Sequence, residues 1–188
     1  MTSSKRAKLM DMAKSLFATY GFYGTPTAKI AADAGVSNGI LFHYFPTKDV
    51  LIEALYLDVK DQLFSYTISQ LYQGGGLKEH VYTFWLAAVE WNLEHPNDFT
   101  FLMHYKNSPK GGVNVEYEVH PYNKLCHELA NKGIDQHLFK HVAPEVVYEV
   151  MIGMVSVTVQ FLLLNPELQD DFAYKNRLFE MTWDALAK

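Results

Sequence analysis

Apolar residues recur at helical spacing along almost the whole chain, and the breaks in that pattern divide it into helices. Leu9, Ala13, Leu16, Phe17 and Tyr20 predict a first helix from about Ser4 to Tyr20, which Gly21 ends in the left-handed conformation. Two short segments follow. Thr25 is placed to cap the first, with Pro26 at the first helical position, where its missing N–H costs nothing, and Gly35 stops it. Ser37 is a second N-cap, and Leu41 and Phe45 at i,i+4 spacing give the second segment its inward face. Thr47 then caps a long helix whose apolar positions run from Val50 to Leu71, with an expected end near Tyr72, before Gly74-Gly75-Gly76 breaks the chain.

The rest of the chain is equally helical in pattern. Leu77 to Glu94 is apolar on every face, which predicts a helix buried all round that ends at His95-Pro96. Phe99, Phe101, Leu102, Met103 and Tyr105 predict a short aromatic helix, stopped by the polar loop Ser108 to Gly112. A further helix is expected from about Val115 to Lys132, with Pro121 as a bend, Tyr117, Tyr122, Leu125, Cys126 and Leu129 inward, and Gly133 at its end. Pro144 opens the next. Within it, Val155 to Gln160 alternates like a strand, but the run from Val150 to Leu164 is too long for one strand and reads as helix. A last helix from about Asp171 to Ala187 sets Phe172, Leu178, Phe179, Trp183 and Leu186 along one side. The expected fold is all-α, with an N-terminal three-helix domain over residues 1–47 joined by the long helix to a helical domain over residues 48–188.

Two short helices meeting at one turn form a helix-turn-helix, whose second helix enters the DNA major groove and offers its N-terminal residues to base edges. On that plan Ser37, Asn38 and Gly39 face the groove, and Asn38 is the base reader, since an Asn amide pairs bidentately with adenine. His43 can donate to a base or phosphate and Tyr44 to a phosphate. Thr25, Thr27 and Lys29 are placed to hold the DNA backbone, Lys48 adds a cation at the next helix start, and Lys5 and Arg6 form a basic arm. The polar face of the first helix, with Lys5, Lys8 and Lys14, could touch the DNA backbone, but a solvated face is the favoured reading.

Gly21, Phe22, Ile30-Ala31, Ala34-Gly35-Val36-Ser37, Gly39, Leu41, Tyr44-Phe45 and Lys48 stand in a register that resembles the tetracycline-repressor (TetR) family of bacterial transcription regulators. The resemblance covers roughly the first quarter of the chain. It implies an operator-binding head on a ligand-binding body, and it implies the same DNA-facing positions, with two departures. Asn38 stands where many members carry a basic residue, and Phe42 where most carry a phosphate-binding tyrosine. Phe42 has no hydroxyl to give, and its spacing favours a place in the core over contact with a thymine methyl.

Charge sharpens this picture. Residues 1–48 hold six Lys or Arg against two Asp, and the remainder hold ten against nineteen acidic residues. A basic head on an acidic body suits a chain in which the head alone approaches phosphate, so the net charge of -5 does not oppose DNA binding. The composition, 49% hydrophobic and 14% aromatic, is that of a globular protein. The single Cys126 excludes an intrachain disulfide, and no apolar leader core precedes the first helix, so a cytoplasmic protein is expected. The apolar run from Val150 to Leu164 falls short of a membrane span and contains Gly153, Ser156, Thr158 and Gln160.

In the body, Trp85, Glu90, Trp91, Phe101 and Tyr122 are the expected ligand residues, lining a pocket for an apolar or amphipathic small molecule. Glu90 beside Trp91 could hold a cationic ligand; the blander reading, a carboxylate facing solvent or paired with a lysine, is favoured because charges are almost never fully buried unpaired. The last two helices are expected to pair with their copies as a four-helix bundle, with Val157 and Trp183 in the homodimer interface. His120 with His127, and His137 with His141, share helix faces, but Pro144 interrupts any ladder to Glu145 and no metal site is expected. No phosphate-binding glycine loop or nucleophile elbow is present, so neither a cofactor nor catalytic residues are expected. The function expected is a DNA-binding transcription regulator, a repressor released by its effector; the alternative is a DNA-anchored small-molecule or partner-binding module without ligand-controlled transcription.

Overall fold

The computed structural model describes residues 4–71, 74–109 and 120–188. Among them the chain forms nine α-helices: α1 (Lys5–Tyr20), α2 (Thr27–Asp33), α3 (Asn38–Tyr44), α4 (Lys48–Gln70), α5 (Leu77–Glu94), α6 (Pro96–Lys106), α7 (Pro121–Asp135), α8 (Pro144–Leu164) and α9 (Phe172–Leu186). The all-α expectation holds, and the stretch with strand-like alternation lies inside α8. The expected helix start at Val115, the inward Tyr117, the loop residues Lys110 to Gly112 and the helix end at Tyr72 lie outside the described residues.

The helices gather into two compact units, one of residues 1–61 with 95–114 and the other of residues 62–94 with 115–188. The division differs from the expected boundary at residue 47: α4 contributes to both units and α6 belongs with the head. The reason is core size, since three short helices bury too little apolar surface alone. Phe101 on α6, fully buried, packs on Phe17 at 6.4 Å and Phe22 at 5.6 Å between ring centroids. Lys14 on α1 pairs with Asp98 at 2.7 Å, and Asp98 is itself buried. His104 shares a hydrogen bond with the Phe17 carbonyl at 3.0 Å.

Local signals in the head mostly act as the sequence predicts. Ser4 Oγ accepts the Ala7 N–H at 3.2 Å to start α1, and Gly21 ends it at φ +68°. Thr25 departs from its expected role. Its side chain is fully buried and its hydroxyl donates to the carbonyls of Gly21 at 2.8 Å and Leu16 at 3.2 Å, so it ties the turn back onto α1 while Pro26 takes the N-cap of α2. Ser37 and Thr47 do cap, accepting the N–H of Ile40 at 3.3 Å and of Val50 at 3.1 Å.

In the second unit α5 is the central helix, with Val81, Phe84, Trp85, Ala88, Val89 and Trp91 all buried against α7, α8 and α9. Pro121 opens α7 and does not bend it, and the His120 ring, through Nδ1, accepts the Tyr122 N–H at 3.1 Å as its cap. Gly133 does not end α7, which runs on to Asp135; a Cβ there would meet the Phe139 ring at 2.1 Å. Asp171 Oδ1 caps α9 by accepting the Tyr174 N–H at 2.8 Å. At the other end Lys140 Nζ donates to the carbonyls of Asp184 and Ala185 at 2.9 and 2.8 Å, a cation on the negative end of the helix. α8, at 21 residues with mean hydropathy 1.9 in its most apolar stretch, reaches the length and composition of a membrane span, contrary to the estimate from its uncharged run. Packing accounts for one face of it, where Val147, Tyr148, Met151, Val155, Val159 and Leu162 are buried against α5, α7 and α9, while apolar residues on another face stay exposed.

Candidate functional site

The second short helix of the head, α3, turns only Leu41 fully inward, with Phe45 following it into the core. Ser37, Asn38, Gly39, Phe42, His43 and Tyr44 are exposed. Asn38 thus has its amide at the surface on the first turn, and Ser37 keeps its hydroxyl proton to donate while its oxygen accepts the Ile40 N–H. His43 and Tyr44 meet edge to face at 5.4 Å, and Tyr44 is 38% exposed. The core placement expected for Phe42 is overturned: the ring is 41% exposed, because Leu41 and Phe45 already fill the inward positions of this short helix.

The phosphate-holding set changes more. Thr25 is buried and its hydroxyl is already committed, so it offers nothing to a phosphate. Thr27 is half-buried at the start of α2. Lys29 pairs with Asp33 at 2.9 Å across one helical turn, and that hydrogen bond and charge raise its pKa. Lys48 does not project as a bare cation. Its ammonium donates to the Phe22 carbonyl and lies 5.9 Å from the Phe17 ring centroid, and partial burial pushes its pKa below the ordinary lysine value. Arg6 is no arm either: it lies within α1, its guanidinium 5.3 Å from the centroid of Phe45. Tyr20 and Tyr23 are 57% and 91% exposed at the end of α1 and in the turn after it; Tyr20 shares the apolar spacing of α1 and so reads as core, and only the absence of Tyr23 from that spacing could have marked it.

The expected ligand residues divide between the two units. Phe101 is core of the head, as described above, because α6 closes α1. Trp85, Trp91 and Tyr122 are buried in the body; Tyr122 packs on Phe84 at 5.2 Å, and its burial drives the phenol pKa well up. Glu90 is paired with Lys175 on α9 at 3.3 Å. Its surroundings are polar: Glu90, Glu94, Gln169, Asp170 and Lys175 with Leu93 line a cavity of about 220 Å³. Two interior N–H donors, Trp85 Nε1 and Asn123 Nδ2, have no hydrogen-bond partner among the described residues, nor does Asn92 Oδ1.

Of the two expected interface residues, Val157 is 63% exposed. It lies on an apolar stripe of α8 with Val146, Phe161 and Leu164, exposed by 48, 38 and 82%. Trp183 is turned the other way, against Phe139 at 5.4 Å and Phe179 at 6.4 Å with the Lys78 ammonium 5.3 Å from its ring, so it belongs to the unit's own packing. Of the four histidines, His120 caps α7 and His127 stacks on Tyr148 at 5.2 Å, whereas His137 and His141 lie exposed between α7 and α8 and share no helix face. Among the described residues no three His, Cys, Asp or Glu side chains gather as metal ligands.

Comparison with known proteins converges on this head. Residues 9–55 match the family of bacterial regulatory proteins, tetR family. A stretch of 62 residues, 33% of this chain, is 36% identical to the transcriptional repressor KstR2 of Mycolicibacterium smegmatis, and 72 residues, 38% of the chain, are 36% identical to the regulator BetI of Escherichia coli. The matched stretches span 30% and 37% of those relatives' own lengths. Two solved structures match over nearly the whole chain. One, from Shewanella sp. PV-4 and assigned to the tetR regulators, has a TM-score of 0.92 at 28% identity, covering 99% of this chain and 100% of its own. The other, a TetR family transcription regulator from Marinobacter aquaeolei VT8, has a TM-score of 0.83 at 25% identity, covering 98% and 96%. With the helix-turn-helix of α2 and α3, α3 capped by Ser37, lying inside the matched stretch, residues 9–55 are the DNA-binding domain of the tetR family of bacterial regulatory proteins, and the whole chain has the fold of solved tetR regulators.

Proposed function

We propose that this protein is a homodimeric transcriptional repressor that binds operator DNA through α3 and is released from it by an apolar or amphipathic small molecule held in the body. The observation that carries the reading is α3 itself. A seven-residue helix that buries one of its own side chains and exposes Asn38, Gly39, Phe42, His43 and Tyr44 has a surface that the fold does not use. The stripe from Val146 through Val157 to Leu164 supports pairing of two copies through α8, as a two-fold interface requires a self-complementary apolar patch. For the effector, the buried aromatic interior around Trp85 supports an apolar ligand, and the unpartnered donors Trp85 Nε1 and Asn123 Nδ2 support one that carries an acceptor oxygen.

Selection of bound duplexes from a random-sequence pool tests the DNA-binding half. A pseudo-palindrome with half-sites ~34 to 36 Å apart, or a multiple of it, is expected; recovery of unenriched sequence would leave only the DNA-anchored module. Amphipathic compounds are then screened for quenching of tryptophan fluorescence and release of the selected duplex. An effector must prefer the released state by ~5.5 kcal/mol to reverse a 99:1 population, and by reciprocity the duplex must weaken its binding equally. A compound bound with the same affinity with and without duplex is not the effector.

A further inference from the structure

Phe42 is the one large apolar side chain that α3 leaves at the surface without an internal use. Its ring is 41% exposed, and among the described residues no aromatic ring or cation packs on it. Its neighbours Leu41 and Phe45, at 0% and 1%, close the core without it. Burying Phe42 would therefore have to occur against something other than the described residues.

The turn ahead of it is equally unexplained by the fold. Gly39 does not occupy the left-handed region, and a Cβ there would meet only Ser37 Oγ, at 3.9 Å, so an alanine would fit and would favour the helix. Helical side chains lean back over the preceding turn, which carries the Phe42 ring toward Asn38 and Gly39. A glycine at that point leaves the ring unshielded on one side, while Asn38, at i-4 from Phe42, stands beside it with a free amide edge. The surface so formed is a flat apolar ring next to a hydrogen-bonding amide. In the major groove one base pair offers the matching pair of features: thymine presents a C5-methyl group and its adenine partner the N6 and N7 edge.

We infer that Phe42 reads the C5-methyl of a thymine in the operator, beside the base contacted by Asn38, and that Gly39 is kept small to let that base edge approach. The inference rests on the DNA-binding reading above and deepens it: a position that commonly anchors the DNA backbone serves here in base discrimination. It follows that Phe42 contributes to sequence preference and little to nonspecific affinity.

The test uses the full-length protein and the duplex selected as described above, with each thymine replaced in turn by deoxyuridine, which removes the methyl group and nothing else. At one position per half-site the replacement should weaken binding roughly fourfold, the factor that burying one methyl group gives. Phe42→Ala should remove that penalty, so that thymine and deoxyuridine duplexes bind alike, and Phe42→Tyr should keep it. Gly39→Ala, which the fold accommodates, should weaken the selected duplex and leave random duplex unchanged. A deoxyuridine penalty at no position, or one that persists in Phe42→Ala, overturns the inference while DNA binding stands. Failure of the selection to enrich any sequence overturns the DNA-binding reading itself, and the two failures are distinct. Thermal melting of the variants, expected to be no lower than the parent's because both sites are at the surface and alanine at position 39 favours the helix, confirms that loss of preference is not loss of fold.

Discussion

The clearest quantitative consequence of the head's geometry lies in its salt dependence. Of the six cations in residues 1–48, Lys14 is held by Asp98 at 2.7 Å, Lys29 by Asp33 at 2.9 Å, and Lys48 by the Phe22 carbonyl, leaving Lys5, Arg6 and Lys8 uncommitted to an anion or carbonyl among the described residues. Each phosphate neutralised steepens the plot of log affinity against log salt by ~0.9. With Lys29 satisfied by its own carboxylate, it adds nothing to that slope, and Asp33 repels the same phosphate. Asp33→Asn releases the ammonium while keeping the shape of the side chain. The slope should steepen by ~0.9 per head and ~1.8 per dimer, so that each tenfold fall in salt raises affinity about eightfold more per head than in the parent. Fluorescence anisotropy with a labelled duplex across a salt series measures it. Lys29→Ala should leave the parent slope unchanged and cancel the gain in Asp33→Asn, closing a double-mutant cycle. Parallel salt lines for parent and Asp33→Asn, or a flatter line for Lys29→Ala alone, would refute the reasoning, because either shows that Asp33 does not hold Lys29 away from phosphate.

Three further outcomes follow from contacts already described. Lys48→Met should lower stability by about 1 kcal/mol, through loss of the donor to the Phe22 carbonyl at a partly exposed site, and leave the salt slope of DNA binding unchanged; a slope flatter by one unit in titration would instead make it a phosphate ligand. Val157→Glu should give folded monomers in sedimentation with a parental melting temperature, whereas Trp183→Glu should melt early, since it breaks the packing with Phe139 and Phe179; the reverse pattern would move the interface onto α9. Gly133→Ala should cost about 1 to 3 kcal/mol in denaturant unfolding, because its Cβ would meet the Phe139 ring at 2.1 Å, and an unchanged midpoint would show that the ring moves aside freely.

Much of the fold was legible because it depends on neighbours in sequence. The bounds of α5 follow from an apolar run closed by His95-Pro96, and Ser37, Thr47 and Asp171 each accept an N–H three residues ahead, a contact that sequence spacing specifies. What was not legible depends on distant partners. Thr25 has the composition of a cap, but carbonyls at Leu16 and Gly21 claim its hydroxyl. Lys48 has the position of a phosphate ligand, but the carbonyl of Phe22, 26 residues earlier, accepts a hydrogen bond from its ammonium. Phe101 has the spacing of a body residue, yet α6 packs back onto α1, a return that no periodicity encodes. Gly133 reads as a helix end from local rules alone, and its reason is a ring six residues later. In the candidate site, exposure was the illegible quantity: Phe42 and Leu41 are adjacent apolar residues, and only the length of α3 decides which one turns in.

A head with few uncommitted cations alters the balance between finding a site and recognising it. Nonspecific affinity for DNA is almost wholly electrostatic, whereas specific affinity adds contacts to base edges that do not depend on counterion release. Tying Lys14, Lys29 and Lys48 to Asp98, Asp33 and the Phe22 carbonyl therefore weakens binding to every sequence, but takes a larger share from nonspecific binding than from specific binding. The excess of acidic residues beyond residue 48 acts in the same direction, by repelling duplex that does not engage α3. What remains on the reading surface is chiefly amide and aromatic: the Asn38 amide, the Phe42 and Tyr44 rings, the His43 imidazole, and Tyr23, almost fully exposed ahead of α2. Such groups bind only when shape and hydrogen bonding match. In the reading proposed here, the head gains specificity by suppressing the competing sites, and the internal ion pairs that look merely structural are part of how it discriminates.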